Sequence, residues 1–111
     1  MIKPTISFAD FEKLDIRIGT IVSAQTVPEA DKLLKLEVDL GEEQRQIMAG
    51  IAQVFTDPQI LVGKQVPILV NLEPRKLRGY ESQGMMLAAD DNGQPVLLHP
   101  NLTVPAGGIV R

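Results

Sequence analysis

The sequence predicts an all-β domain whose short strands form a small barrel. Three observations lead to this prediction. Apolar and polar residues alternate along several stretches of the chain, as in strands with one buried face. Turn-forming residues separate these stretches at short intervals. The chain of 111 residues is long enough to bury a core as a single domain over residues 1–111, without the cysteines that it lacks.

A short helix is predicted before the first strand. Ser7 precedes FADFEKL, and Asp10 follows three residues later, which is close to the capping-box pattern. Phe8, Phe11 and Leu14 are spaced three residues apart and give this segment one apolar face. We expect one to two turns of helix.

The first strand is predicted over residues 14–27, and a break in its pattern indicates that it bends. Gly19 interrupts the alternation and Ile21 falls on the polar side, so a bulge or bend is expected there. The predicted apolar side consists of Leu14, Ile16, Ile18, Val22 and Ala24.

Four more strands are predicted by alternation or by short apolar runs. Between the third and fourth strands, Asp57 is expected to cap a short helix that begins at Pro58 and ends at Gly63. The fifth segment is apolar on both sides, so a buried strand is expected. These four strands cover residues 33–41, 44–51, 66–72 and 84–89.

The C-terminal part is expected to add a hairpin to these five strands. Asn92-Gly93 is the strongest hairpin signal in the chain. Together, five strands, a bent first strand and a helical link between strands three and four predict an OB-type barrel. Residues 90–111 form an added hairpin and an apolar tail that suits a subunit interface.

Composition excludes several classes of function. With no cysteine and a single histidine, His99, the chain has no thiolate nucleophile, disulfide framework or multi-histidine metal site. We therefore predict no catalytic residue, metal or cofactor. No secretory signal or membrane-length apolar run is visible, which predicts a cytoplasmic protein without a membrane partner.

Positive charge is concentrated in one place although the formal net charge is −3. Arg75, Lys76 and Arg78 lie within four positions, with Lys32 and Lys35 near the start of the second strand. A local positive surface on an acidic body attracts polyanions to one face. The alternative is a loop whose charges simply face water.

Few aromatic residues accompany these cations. The chain has no tryptophan, and only Tyr80 lies near the basic cluster, where it either stacks on a base or shields the loop. An RNA partner would therefore be held mainly through its backbone and shape. Alternation places one of Met85 and Met86 inward and the other outward.

Five motifs in order resemble the tRNA-binding domain family. They are FADFEKLDIRIGTI (8–21), ADKLLKLEVDLG (30–41), GKQV (63–66), NLEPRKLRG (71–79) and ESQGMMLAA (81–89). The family includes stand-alone dimeric tRNA-binding proteins and the appended C-terminal domain of methionyl-tRNA synthetases. The resemblance implies an OB barrel that dimerises through C-terminal elements, binds tRNA by its folded shape and has no catalytic activity.

The resemblance also implies an RNA-binding face. Gly79 and Gly84 are expected to shape its backbone by positive φ or close approach. An aminoacyl-tRNA synthetase is implied as a further partner, beside tRNA and a second copy of the chain. The residues assigned to the face are Lys32, Lys35, Asn71, Arg75, Lys76, Arg78, Ser82 and Met85.

A second class of function stays open, namely a protein-interaction module. The CsaA secretion chaperone is a relative with peptide binding as its proposed role, and the apolar tail would serve an interface in either case. The intact DKLLKL pattern of this chain favours the tRNA-binding branch.

Overall fold

A computed structural model describes all 111 residues and contains little helix and ten strands. The helices are α1 (Phe8–Glu12) and one 3₁₀ helix (Pro58–Leu61). The strands are β1 (Ile16–Val27), β2 (Ala30–Asp39), β3 (Gln44–Ala49), β4 (Gln65–Leu69), β5 (Arg75–Leu77), β6 (Tyr80–Ser82), β7 (Met85–Met86), β8 (Ala88–Asp91), β9 (Gln94–Leu97) and β10 (Gly108–Val110). The predicted all-β character is confirmed.

Both helical segments begin as their capping residues predict. The Ser7 hydroxyl accepts a hydrogen bond from the backbone N–H of Asp10 at the start of α1. The Asp57 carboxylate accepts one from Gln59 at the start of the 3₁₀ helix, and Pro58 follows it. Neither helix has the length and apolar character that crossing a bilayer requires.

Six strands form one antiparallel sheet, and β1 is its centre. The order is β3-β2-β1-β4-β7, and β10 also pairs with β1. The first part of β1 pairs with β4 and the later part with β2, while Thr20 pairs with both. β1 therefore pairs with different strands along its length, as expected for a long bent strand. The five-stranded closed barrel stays a prediction, because no ladder joins β3 to β7.

β1 bends as predicted and Ala24 is buried as predicted, but the prediction that Val22 faces the core and Ile21 the opposite side is wrong. The register shifts between Ile21 and Ser23, so Ile21 is buried whereas Val22 is exposed. Gly19 is not the bulge. A Cβ on Gly19 would lie 2.2 Å from a methyl group of Val38, so glycine is needed there for close packing.

The predicted fifth strand, 84–89, is divided between two sheets. Met85 and Met86 pair with β4, whereas Ala88 begins a separate hairpin with β9. All four residues of β8 are exposed, so the prediction of a continuous buried strand is wrong. The apolar residues of β8 are two alanines, and they lie on a surface hairpin rather than in the core.

The core lies inside the main sheet and is aliphatic. Thirteen buried residues form it, and Leu34, Leu36, Ile47, Val66 and Ile68 are among those with no exposed surface. They come from β2, β3 and β4. This packing holds the main sheet together.

Candidate nucleic-acid interface

The segment predicted as a basic loop is a β-hairpin, here called the basic hairpin (Arg75–Ser82). Its strands β5 and β6 are joined by Arg78 and Gly79, whose φ angles are 53° and 84°. Positive φ at both central residues is the requirement of a type I′ turn, whose twist matches that of the flanking strands. The expected positive φ of Gly79 is confirmed. The cations therefore sit on a regular element rather than on an irregular loop.

Apolar side chains attach the basic hairpin to the main sheet. Leu77 and Tyr80 pair across β5 and β6 and pack against a buried cluster of Val27, Ala30 and Met48. By strand alternation, Lys76 lies on the opposite face of the hairpin and points away from the sheet. The structure thus favours a packing role for Tyr80, one of the two roles considered for it.

Hydrogen bonds join the end of the basic hairpin to β3. The buried Ser82 hydroxyl accepts from the Met48 N–H at 3.0 Å and donates to the Gly84 carbonyl oxygen at 2.9 Å. Gln46 accepts from the Gln83 N–H at 2.9 Å through its backbone oxygen. Gly84 has φ 131°, and a Cβ there would lie 2.8 Å from the Leu69 carbonyl oxygen. The close backbone approach expected at Gly84 is confirmed.

Arg45 clamps the two ends of the segment that contains the basic hairpin. Its guanidinium donates to the carbonyl oxygens of Val70 and Gln83, which bracket residues 71–82, and also to the carboxylate of Glu43. Sequence reasoning missed this residue. The two contacts span 25 and 38 positions, so no local pattern indicates them.

The cations of the basic hairpin differ from the two arginines of the main sheet, Arg17 and Arg45, which both pair with carboxylates. Arg75, Lys76 and Arg78 are exposed, and none forms a salt bridge. By contrast, Arg17 donates two hydrogen bonds to the Asp15 carboxylate, which raise the pKa of Arg17 together with the attraction between the two charges. Glu81 is the cross-strand partner of Lys76, but the structure has no salt bridge between them, so all three hairpin cations can meet an external anion.

The two lysines of the ADKLLKL motif point in different directions. The Lys35 ammonium lies 5.4 Å from the centre of the Tyr80 ring, on the side of the basic hairpin. At this distance it is attracted to the ring face. Lys32 instead lies near the start of β2, beside Gln53 and Asn92.

Asn71 and Met85 occupy the margins of the basic hairpin. The Asn71 amide accepts from the Asp15 N–H at 2.9 Å and donates to the Lys13 carbonyl oxygen at 2.7 Å, so it fixes the chain before the hairpin. Met85 is exposed, whereas Met86 packs against the core. The predicted division of the two methionines is confirmed.

The structure therefore gathers only part of the predicted face. It brings the three hairpin cations together with Ser82 and with Lys35 beside Tyr80. Lys32 and Met85 border a different surface, and Asn71 lies at the base of the segment. Guanidinium and ammonium groups without carboxylate partners can bind phosphate oxygens, in bidentate fashion for arginine.

Comparisons with known proteins show which family and fold the chain resembles. A family described as “Putative tRNA binding domain” matches residues 16–108. A methionine–tRNA ligase of Methanothrix thermoacetophila is 53% identical over 109 residues, which are 98% of this chain and 16% of that enzyme. The chain thus corresponds to a small part of that relative.

Two solved structures share the fold over nearly the whole chain. The MetRS-related protein of Pyrococcus horikoshii has a TM-score of 0.90 and 35% identity, covering 98% of this chain and 100% of its own. The chaperone CsaA of Bacillus anthracis has a TM-score of 0.87 and 34% identity, covering 97% and 100%.

Proposed function

The chain belongs to the tRNA-binding domain family, and from this premise we propose that it binds tRNA by its folded shape as a homodimer. Its family is one of binding domains, which supports the prediction that it is not an enzyme. It would act as a stand-alone protein or as the appended or associated domain of a methionyl-tRNA synthetase.

The observation that carries the proposal is the unpaired charge of the basic hairpin. Three exposed cations without carboxylate partners stand on a hairpin that is packed and hydrogen-bonded to the main sheet. Because the backbone of the hairpin is already fixed, only its side chains have to be ordered when a phosphate backbone binds. This lowers the entropic cost of binding. Contacts to phosphates carry no sequence information, which suits recognition of shape.

We assign different roles to the residues of the predicted face. Arg75, Lys76, Arg78 and Lys35 would contact phosphates directly. Lys32 and Met85 would contact RNA at the neighbouring surface. Ser82 and Asn71 would act as positioning residues, because their polar groups already bind the backbone of the protein.

The fold proposal is a single OB-type barrel over residues 1–111. The bent β1, which pairs with both β2 and β4, supports it. A second support is the backbone hydrogen bond from Gln83, which lies just before the edge strand β7, to Gln46 of the opposite edge strand β3. Residues 90–111 would extend this barrel and form the dimer interface. Leu102 and Ile109 in this tail expose 72% and 58% of their surface.

The proposed setting is the cytoplasm, where tRNA and synthetases work. An aminoacyl-tRNA synthetase is the proposed protein partner, since the chain matches a segment of methionine–tRNA ligases.

A gel-shift comparison tests the function. The chain is mixed with folded tRNA, single-stranded RNA and duplex RNA, and tRNA is expected to shift at the lowest protein concentration. The variant Arg75→Ala/Arg78→Ala should weaken binding of all tRNAs alike, by about tenfold or more. Selective loss of one tRNA would point instead to base readout.

A matched control removes the same charge elsewhere. Lys3 and Lys64 are exposed and form no salt bridge, so Lys3→Ala/Lys64→Ala lowers the net charge equally. Equal loss of tRNA binding in both double variants would mean that net charge, rather than the basic hairpin, drives binding.

A chaperone-like interaction module is the second candidate. The likeness to CsaA and the exposed apolar tail favour it. Binding of unfolded peptides by the full chain, with no binding of tRNA, would select this function.

A further inference from the structure

A groove lies between the loop after β3 and the β8–β9 hairpin, and no residue of the basic hairpin lines it. One section has a volume of about 420 Å³ and is bordered by Lys32, Gln53 and Asn92. The adjoining section has about 370 Å³ and is bordered by Met85 and Met86. Both sections share Gly50, Gly93 and Pro95 in their lining, so they are direct neighbours. Each lies within the size range of small-ligand pockets, about 300–1,000 Å³.

Internal hydrogen bonds hold both walls of this groove. The backbone N–H of Ala52 donates to the Lys32 carbonyl oxygen at 3.1 Å, which fixes the loop after β3. The Gly93 N–H donates to the Asp90 carboxylate at 2.7 Å, which fixes the turn of the opposite hairpin. The groove is therefore formed before any ligand arrives.

The lining carries groups that match the phosphate, the base edge and the base face of one nucleotide. Lys32 supplies a single cation. Gln53, Asn92 and Gln94 carry amides, which offer a donor and an acceptor to the edge of a base. Met85 presents a polarisable surface to the face of a base.

Charge limits the occupant to a single phosphate. Asp90 borders the section away from Lys32, and Asp91 follows it, so a longer phosphate backbone would be repelled there. We infer that this groove takes one unstacked nucleotide of the bound RNA while the basic hairpin holds the backbone. The inference rests on the proposed function and gives Lys32 and Met85 a shared site.

Gly50 allows the groove to be filled without removing a contact. A Cβ on Gly50 would have the Lys32 carbonyl oxygen, 4.0 Å away, as its nearest neighbour, and no left-handed backbone is required there. Gly50→Leu should therefore fold and block the groove. Thr56→Leu is the matched control, because it adds a leucine to an exposed position of the same loop away from the groove.

The test measures amide chemical shifts of the full chain with a mixed-sequence RNA tetranucleotide and, separately, with an apolar tetrapeptide. The RNA should shift the amides of Gly50, Met85 and Gly93 in wild type and Thr56→Leu, but not in Gly50→Leu. Affinity for tRNA should fall about fivefold to tenfold in Gly50→Leu alone. Should Gly50→Leu not fold, Lys32→Ala should also lose the RNA-induced shifts.

Several outcomes overturn the inference. Shifts confined to the basic hairpin, shifts caused by the peptide alone, or equal tRNA affinity in folded Gly50→Leu and Thr56→Leu would each do so while tRNA binding stands. Absence of tRNA binding by the wild-type chain would contradict the proposed function instead. The tetranucleotide-induced shifts would then still show whether the groove binds a nucleotide.

Discussion

Arg78 has a backbone conformation that arginine rarely adopts. Its φ of 53° lies in the left-handed region, which costs a residue with a Cβ about 1–2 kcal/mol. The β8–β9 hairpin has the same pair of positive φ angles with Asn92 and Gly93, the residues such turns favour. A costly arginine in an equivalent turn suggests that its side chain serves binding.

Replacing Arg78 by asparagine should separate stability from binding. Asparagine tolerates positive φ better, so Arg78→Asn should raise the melting temperature by about 2–4 °C. Loss of the guanidinium should weaken tRNA binding by about threefold to tenfold. Thermal unfolding and filter binding measure the two effects.

The control Arg78→Lys keeps both the positive charge and the backbone cost. It should leave the melting temperature nearly unchanged and retain most of the binding. Wild-type tRNA affinity in Arg78→Asn would remove Arg78 from the binding face.

At the scale of elements, the basic hairpin depends on β3 for its position. Arg45 holds both ends of residues 71–82, and Ser82 and Gln83 bond to the same strand. Breaking the clamp should therefore loosen the hairpin while the aliphatic core stays intact.

Arg45→Met tests this dependence. The backbone amides of residues 71–83 should exchange with solvent faster, and trypsin should cleave within the basic hairpin sooner, because their local opening costs less free energy. Binding of tRNA should weaken by about threefold to tenfold. Hydrogen exchange and limited proteolysis measure the loosening.

Arg17→Met is the matched control. Arg17 is similarly half-buried and pairs with Asp15, but unlike Arg45 it makes no hydrogen bond to Val70 or Gln83. It removes one charge and should leave exchange in residues 71–83 unchanged. The same exchange rates in both variants would show that Arg45 does not act as a clamp.

The sequence allowed a strand to be predicted where alternation was clear, as in β2. The prediction failed where a strand contains a bulge or is very short. The bulge after Ile21 reverses the buried side of β1, which a fixed period of two cannot represent. The basic hairpin was predicted as a loop because its strands have three residues each, which is too short to show an alternation of apolar and polar residues.

The candidate site was likewise only partly predictable. Charge density revealed Arg75, Lys76 and Arg78, because they are neighbours in the chain. The clamp of Arg45 and the contact of Lys35 with Tyr80 depend on residues far apart in sequence. They became visible only once the fold had brought these residues together.

At the scale of the whole molecule, exposed apolar residues are concentrated near both termini. Ile2, Phe8, Leu102 and Ile109 each expose more than half of their surface. Burying such side chains against a second copy would stabilise a dimer through the hydrophobic effect.

Leu102→Asp/Ile109→Asp should convert this dimer into a monomer. Placing charges in a buried interface removes apolar contact and adds desolvation cost. Sedimentation at micromolar concentration should give about twice the 12.1 kDa chain mass for wild type and the chain mass for the variant. The control Ile60→Asp, at an exposed site outside the tail, should stay dimeric. A wild-type sedimentation mass of a single chain would refute the dimer.

The most general feature of this molecule is its uneven distribution of charge. The chain is acidic, with a formal net charge of −3, yet the cations of the basic hairpin have no carboxylate partner. The basic hairpin therefore attracts a polyanion although the chain as a whole is acidic.

The salt dependence of tRNA affinity tests this claim most directly. Each phosphate contact contributes about 0.7–0.9 to the slope of log affinity against log salt, so about three to five contacts per subunit give a steep decline. Arg75→Ala/Arg78→Ala should make the slope shallower by about 1.4–1.8, whereas Lys3→Ala/Lys64→Ala should leave it unchanged. An affinity that does not vary with salt, or a slope that the hairpin variant shares with wild type, would contradict binding through the basic hairpin.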